Sequence, residues 1–360
     1  MSSSTNVNVL RARVEALLAE KCESFEMHVQ GSHHLTYIAQ MARIGKRLVR
    51  VESVFPKRED GTGISSPCKM QSEIATMCFL KTHSKIPVPS VYGYDADVDG
   101  RVGGKWMVME YVDGQNVDQI WSTLTAHQRE QLALSLANIW AELMLKSLQQ
   151  SFDEIGSLFQ RREGQFFVGP LTFLPSKNHY AIAPPDEHRC GPFSSAQEWL
   201  EASARQDLAY RLSLPPTPEA SQRIDAVLDL IRQSQDLRRS KHKDASRLSI
   251  EHIDFSTHNV LVSRGDPTKI VTVLDWEGAR IVPMWAMNPA FRWPHNSNES
   301  ENKYLTALMR EKISSQVPGW GSAIGDECKP LRILCYKAVL SDRDPKIIDP
   351  NGYLLFMSHM

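Results

Sequence analysis

The segment EHIDFSTHNVLV, residues 251–262, sets His252, Asp254 and Asn259 in the spacing H-x-D-x-x-x-x-N, and IVTVLDWEG, residues 270–278, carries Asp275 on a second apolar run. Strand interiors disfavour Asp and Asn, and a carboxylate buried without a partner is costly. Residues of this kind in two β-prone runs point to a task other than folding. Phosphoryl transfer is one that needs them: charge on a triphosphate must be neutralised, an acceptor hydroxyl oriented, and an oxygen supplied for its proton. Mg2+ takes hard oxygen ligands and keeps several waters, so one carboxylate and one amide oxygen are a sensible protein share. On this reading Asp254 orients or deprotonates the acceptor, Asn259 and Asp275 ligate Mg2+, and His252 organises the loop through hydrogen bonds. The bland alternative is an Asx-type turn from Asp254 to Asn259, with Asp275 ending its strand. Each residue alone fits that alternative; the ordered coincidence of all of them favours chemistry.

The elements that must position these groups are bounded by bulk properties. At 360 residues the chain exceeds what one hydrophobic core usually serves, so two lobes are expected. Its 42% apolar and 23% charged residues are ordinary for a soluble globular protein. Lys plus Arg (41) nearly cancels Asp plus Glu (42), which excludes a global field recruiting nucleic acid or an anionic membrane. An anionic ligand must therefore be met by local charges. Cys22, Cys68, Cys78, Cys190, Cys328 and Cys335 form no C-x-x-C pair, which argues for a reducing compartment rather than a disulfide framework or zinc ribbon. The start MSSSTNVNVLRARVEALL has no apolar h-region and no run reaches membrane-spanning length, so a cytoplasmic protein is expected. The end, Ser358-His359-Met360, differs at two of three positions from the peroxisomal S-K-L form.

Periodicity predicts an amphipathic stretch over Val9–Lys21, then a hairpin or meander between Gly31 and Val54 with its turn at Gly45-Lys46. A helix near Pro67–Thr82, capped by Ser65 or Ser66, carries Glu73 beside its apolar stripe. IPVPSVYGYDAD reads as an extended connector into an edge strand, and Lys105–Val112 as a central one. Beyond Asp113-Gly114 the pattern turns helical. A long helix spans Thr125–Gln149, a loop with a short hairpin at QFFVGPLTF follows, and Ser195-Ala-Gln-Glu198 reads as a capping box. Further helices are expected from Thr217 or Glu219 to about Leu237, over Tyr304–Gln316 and over Leu331–Leu340. The basic run Arg238–Lys243 is a solvated surface on this reading. The order implies an α+β, bilobal architecture: residues 1–112 as a small β-rich lobe with one helix, and 113–360 as a larger, mainly helical lobe.

HIDFSTHNVLV together with VLDWEG resembles the motif pair of the aminoglycoside phosphotransferase and choline kinase-like family, in the manner of fungal members of unassigned substrate. The resemblance runs from about Gly31 to Trp285 and is strongest at these two motifs. It implies a protein-kinase-like fold, ATP and Mg2+ as cofactors, and a small-molecule hydroxyl acceptor. GSHHLTY is similar to the phosphate-covering loop, with one glycine in place of three, and makes Gly31 and Ser32 the implied nucleotide contacts. Read alone it is a turn. Arg50 in RLVRV stands where the strand lysine of V-A-I-K would meet the phosphates, with Glu73 as its implied partner. Arg keeps the charge but spreads it over a planar fork. MEYVDG resembles the hinge between lobes, with Met109 shaping the adenine pocket and the backbone from Glu110 to Val112 bonding the adenine edge.

Protein kinases place an activation segment between D-F-G and A-P-E. Here Asp275-Trp276-Glu277 is followed almost at once by Pro283-Met284-Trp285, which leaves no room for a peptide-docking segment and favours a small acceptor. Trp285, Trp293 and Trp320 are core residues by ordinary burial tendencies, with an acceptor-lining role as the alternative. A cationic acceptor would call for a carboxylate cluster, for which Glu299, Glu301, Asp326 and Glu327 offer no decisive spacing. Two rival classes stay open: a kinase-like binding module without turnover, and a metal-dependent hydrolase built on His252, Asp254 and His258. The latter lacks a second His-rich cluster to complete a Zn2+ site.

Overall fold

The computed structural model describes residues 5–31, 34–52, 68–97, 99–173, 182–183, 185–209, 211–212, 216–238, 242–288, 291–295 and 297–342. Ser32, Ser65, Ser66 and Ser358-His359-Met360, which carried expectations above, lie outside them. Among the described residues the helices are α1 (Val7–Leu18), α2 (Lys69–His83), α3 (Val117–Ile120), α4 (Ala126–Gln150), α5 (Ala196–Ala204), α6 (Pro218–Gln233), α7 (Gln235–Arg238), α8 (Glu299–Ser314), α9 (Trp320–Ile324) and α10 (Lys329–Val339). The strands are β1 (Cys22–Gln30), β2 (His34–Met41), β3 (Gly45–Glu52), β4 (Val91–Asp95), β5 (Trp106–Glu110), β6 (Gln115–Asn116), β7 (Ser157–Gln160), β8 (Phe166–Gly169), β9 (Ile182–Ala183), β10 (Arg211–Leu212), β11 (Leu248–Glu251), β12 (Val260–Val262), β13 (Ile270–Val273) and β14 (Arg280–Pro283). None of the described helices is long and apolar enough to cross a membrane.

By packing the described residues divide into two units, one within 5–52 and 88–113, the other within 68–87, 114–173 and 182–342. Helix α2 therefore groups with the second unit. In the first, five antiparallel strands run in the order β1-β2-β3-β5-β4. The expected hairpin is β2–β3, in register from His34↔Glu52 to Met41↔Gly45. Its turn ends at Gly45, whose φ of 74° is a conformation that glycine adopts without strain. Alternate residues Tyr37, Ala39 and Met41 of β2 face inward with Val49 and Val51 of β3, and Leu10 and Val14 of α1 cover them. Strand β5 is interior and β4 is an edge, as the prolines before it require. Strand β1 was not expected. It is an edge strand, exposed over most of its length, and so carries no apolar alternation to read.

The second unit is built around α4. Its start is a full capping box between Thr125 and Gln128, and Leu132, Leu136, Trp140 and Met144 line its buried face. The other expected box is only half formed: Ser195 Oγ accepts from Glu198 N–H, but the Glu198 carboxylate turns to Ser194. The short hairpin is β7–β8, which begins before QFFVGPLTF rather than inside it. Trp285, Trp293 and Trp320 are all buried in the core. Strands β11 and β14 pair antiparallel through Ile250↔Ile281, while β12 lies between β13 and β6.

One hydroxyl fixes the strand that leads into His252. Ser147 Oγ on α4 donates to Leu143 C=O at 2.8 Å and accepts the Ile250 N–H at 3.0 Å. Among the described residues β11 pairs with β14 alone, so this N–H depends on the serine. Ser147→Ala is expected to leave a buried donor unmet and to cost about 1–3 kcal/mol, read as a lower denaturation midpoint. An unchanged midpoint would show that another acceptor serves Ile250.

Candidate active site

His252, Asp254, Asn259 and Leu274 are joined in a closed circuit of four hydrogen bonds. The Asp254 N–H donates to His252 Nδ1 at 3.2 Å, and His252 Nε2 contacts the Leu274 carbonyl at 2.9 Å. The Leu274 N–H donates to the Asn259 carbonyl at 2.8 Å, and Asn259 Nδ2 returns to the Asp254 carbonyl at 2.9 Å. Since a backbone N–H can only donate, Nδ1 must accept, which leaves the imidazole proton on Nε2 facing an oxygen that can only accept. The ring is therefore neutral. Burial agrees, lowering the His252 pKa against the pull of the Leu274 carbonyl.

This circuit aims the oxygens. Because the Asn259 amide spends its NH2 on Asp254, its Oδ1 is the group presented for a cation. Asp275 follows Leu274 directly and is half-buried, with φ of 61°, in a region that non-glycine residues seldom enter. Such backbone persists where the surroundings over-determine it. Here Trp276 Nε1 donates back to Val273 C=O at 3.1 Å, and the Glu277 carboxylate forms a buried ion pair with Lys69 at the start of α2. An amide just before β12 and a carboxylate two residues past β13 are the ligand types that make up the protein share of a Mg2+ site completed by phosphate oxygens and water.

Asp254 itself is held by two basic side chains. Arg292 Nη2 is paired with its Oδ1, and His258 Nε2 lies 3.1 Å from its Oδ2. Burial works against ionisation of Asp254, yet the His258 hydrogen bond and the Arg292 charge outweigh it and hold the carboxyl well below the usual carboxylate range. The same hydrogen bond raises the His258 pKa against partial burial. Below the loop, Phe255 packs edge-on to Trp140 and to Phe291, both at 5.3 Å, and the His252 ring sits 4.6 Å from that of Trp276. Under β11, Glu251 binds Arg280 at 2.7 Å and the Asn288 N–H at 2.7 Å.

The remaining expected contacts are distributed over both units. Gly31 closes the β1–β2 connection with its N–H on His34 C=O at 2.8 Å. Arg50 is buried on β3 in the first unit, and Glu73 is buried on α2 in the second. Met109 is buried on β5. The Glu110 N–H is spent on Ser90 C=O at 2.8 Å and its carboxylate braces Ser90, while Val112 is half-buried just past the strand. Arg292, Lys69 and Glu277 escaped the sequence reading, because their ion pairs join residues far apart in the chain. His258 had been considered only as a metal ligand. Against that hydrolase alternative, both His252 nitrogens are engaged within the circuit and His258 is turned to Asp254.

Residues 31–286 match the model of the phosphotransferase enzyme family. The chain belongs to that family. A subtelomeric hrmA-associated cluster protein of Aspergillus fumigatus is 25% identical over 287 residues, covering 66% of this chain and 55% of the relative. A protein of Yarrowia lipolytica named altered inheritance of mitochondria protein 9, mitochondrial, is 24% identical over 55% of this chain and 37% of its own length. The chain thus spans about half, or less, of the curated relatives it matches. Among solved structures, a protein assigned as a fructosamine-3-kinase from Thermobifida fusca superposes with a TM-score of 0.50 at 17% identity, covering 98% of both chains. The fold is the protein-kinase-like α+β fold, with a small antiparallel-sheet unit and a mainly helical one.

Removing one partner of a buried ion pair leaves an uncompensated charge, at a cost of about 3–5 kcal/mol. Lys69→Met is expected to lose stability in that range, and Lys69→Met with Glu277→Leu to regain much of it. A double variant no better than the single would show the pair is not the unit that matters. A neutral buried His252 also gives a pH signature. The unfolded chain binds a proton that the folded one refuses, so this contribution is complete above about pH 6.5 and is lost as pH falls below it, by at most about 1.4 kcal/mol per pH unit. The difference in stability between the native protein and His252→Gln should shrink from pH 7 to pH 5. A difference that grows over that window would mean the folded ring is charged.

Proposed function

We propose that this member of the phosphotransferase enzyme family transfers the γ-phosphoryl group of ATP to a hydroxyl of a small molecule, with Asp254 at the acceptor and Asn259 and Asp275 at Mg2+. The observation that supports the reading is the circuit through His252, which ties the backbone of Asp254 and the side chain and carbonyl of Asn259 to Leu274, the residue before Asp275. Bound there, Mg2+ supplies neutralisation of charge on the β- and γ-phosphates. Asn259 offers Oδ1 because its NH2 is engaged, and Asp275 offers its carboxylate from a backbone held ahead of binding. Asp254, kept ionised, accepts a hydrogen bond from the acceptor hydroxyl. As the hydroxyl oxygen bonds to the γ-phosphorus and the bond to the ADP oxygen breaks, the hydroxyl proton passes to Asp254 Oδ. Where the transition state is loose, orientation counts for more than basicity, so a carboxylate of depressed pKa is suited to this work.

Nucleotide contacts are assigned in the same proposal to Gly31 and Ser32, to Arg50 with Glu73, and to Met109, Glu110 and Val112. Since the Glu110 N–H is taken by Ser90, the backbone beyond it toward Val112 is left for the adenine edge. The cytoplasm is the proposed compartment, and the longer relative named mitochondrial is the reason to test it. Asp275→Ala is expected to abolish Mg2+-dependent nucleotide binding, measured by calorimetry. Asp254→Ala is expected to spare that binding and to lower transfer by about 10^2- to 10^4-fold. Full activity in both variants would overturn the assignment, and loss of nucleotide binding in Asp254→Ala would place Asp254 at the metal instead.

A further inference from the structure

Two basic side chains, Arg292 and His258, flank Asp254. Arg292 is 37% and His258 44% exposed at the side chain, so both can be reached by a ligand. Both are also fixed by main chain. Ser256 bridges Arg292, the Thr257 N–H donates to Arg292 C=O at 3.1 Å, and Asn116 Nδ2 donates to His258 C=O at 2.7 Å. The neighbouring carboxylates are already engaged: Asp118 accepts from Thr257 Oγ1, and Glu251 is taken by Arg280 and Asn288. One carboxylate thus faces two basic groups at the point where the acceptor hydroxyl must arrive. The guanidinium has donors in reserve, since only Nη2 is used on Asp254, and its Nε–H, shut off from solvent, has no acceptor among the described residues.

We infer that the phosphoryl acceptor is a hydroxy acid, whose carboxylate takes the Arg292 guanidinium while its hydroxyl takes the Asp254 oxygen that Arg292 releases. The inference rests on the phosphotransferase reading and narrows it. Such a ligand exchanges one carboxylate for another on Arg292, so the planar fork keeps a partner of matching geometry. A cationic acceptor would meet two like charges, and a neutral alcohol would have to separate the Arg292–Asp254 pair without replacing it.

The test uses the full chain, Mg2+ and γ-labelled ATP with a small-molecule cell extract, treated with phosphatase and divided by ion exchange into anionic, neutral and cationic fractions. Label is expected in a product of the anionic fraction. Label only with the neutral or cationic fraction overturns the inference and leaves the phosphotransferase reading standing, whereas no label with any fraction removes both. With the acceptor so found, Arg292→Gln is expected to raise its KM roughly ten- to a hundredfold. Arg292→Lys should recover part of the loss, and the acceptor's amide should be used equally by the variant and the native protein. A fall in kcat with KM unchanged would make Arg292 a positioning group for Asp254 alone, and the inference would fail.

Discussion

The arrangement of the site depends on one neutral imidazole. His252 accepts from the loop that carries Asp254 and donates to the residue before Asp275, so a single buried ring ties these two segments together. Asn259 completes the circuit from the β12 end. A charged ring could not do this, because a second N–H at Nδ1 would confront the Asp254 N–H donor. Burial, which disfavours the charged form, therefore serves the geometry directly.

The rest of the second unit can be read as support for that ring. Ser147 of α4 ties down the strand before it, and Phe255, one residue after Asp254, is clamped between Trp140 and Phe291. On the far side, Trp276 packs at a tilt against the imidazole while Lys69 holds Glu277, so the unusual backbone of Asp275 is gripped on the two residues that follow it. Such packing leaves the loop little freedom to lose on binding a ligand. Functional groups sit on a loop, but the loop is pinned to a helix and two strand pairs.

How much of this was legible beforehand follows from distance along the chain. His252, Asp254 and Asn259 are local, and their spacing alone indicated a loop with chemistry. Strand β2 was visible because one face is buried and the alternation survives, and β5 because it is a nearly unbroken apolar run that is buried throughout, whereas the edge strand β1, largely exposed, left no such trace. Helix α4 announced itself by its period and its Thr125 cap. The ion pairs that finish the site were invisible: Arg292 reaches Asp254 across 38 residues, and Lys69 reaches Glu277 across 208. Nothing in the local pattern of either partner marks it, and only the fold brings them together. The left-handed backbone of Asp275 was equally hidden, since Asp tolerates that conformation without requiring it.

The charge state of His252 can be observed without knowing any substrate. In 15N NMR of the imidazole, a neutral ring carrying its proton on Nε2 should persist at about pH 6, where an ordinary exposed histidine is largely protonated. A ring that is protonated there, or that carries its proton on Nδ1, would contradict the circuit that joins His252, Asp254, Asn259 and Leu274.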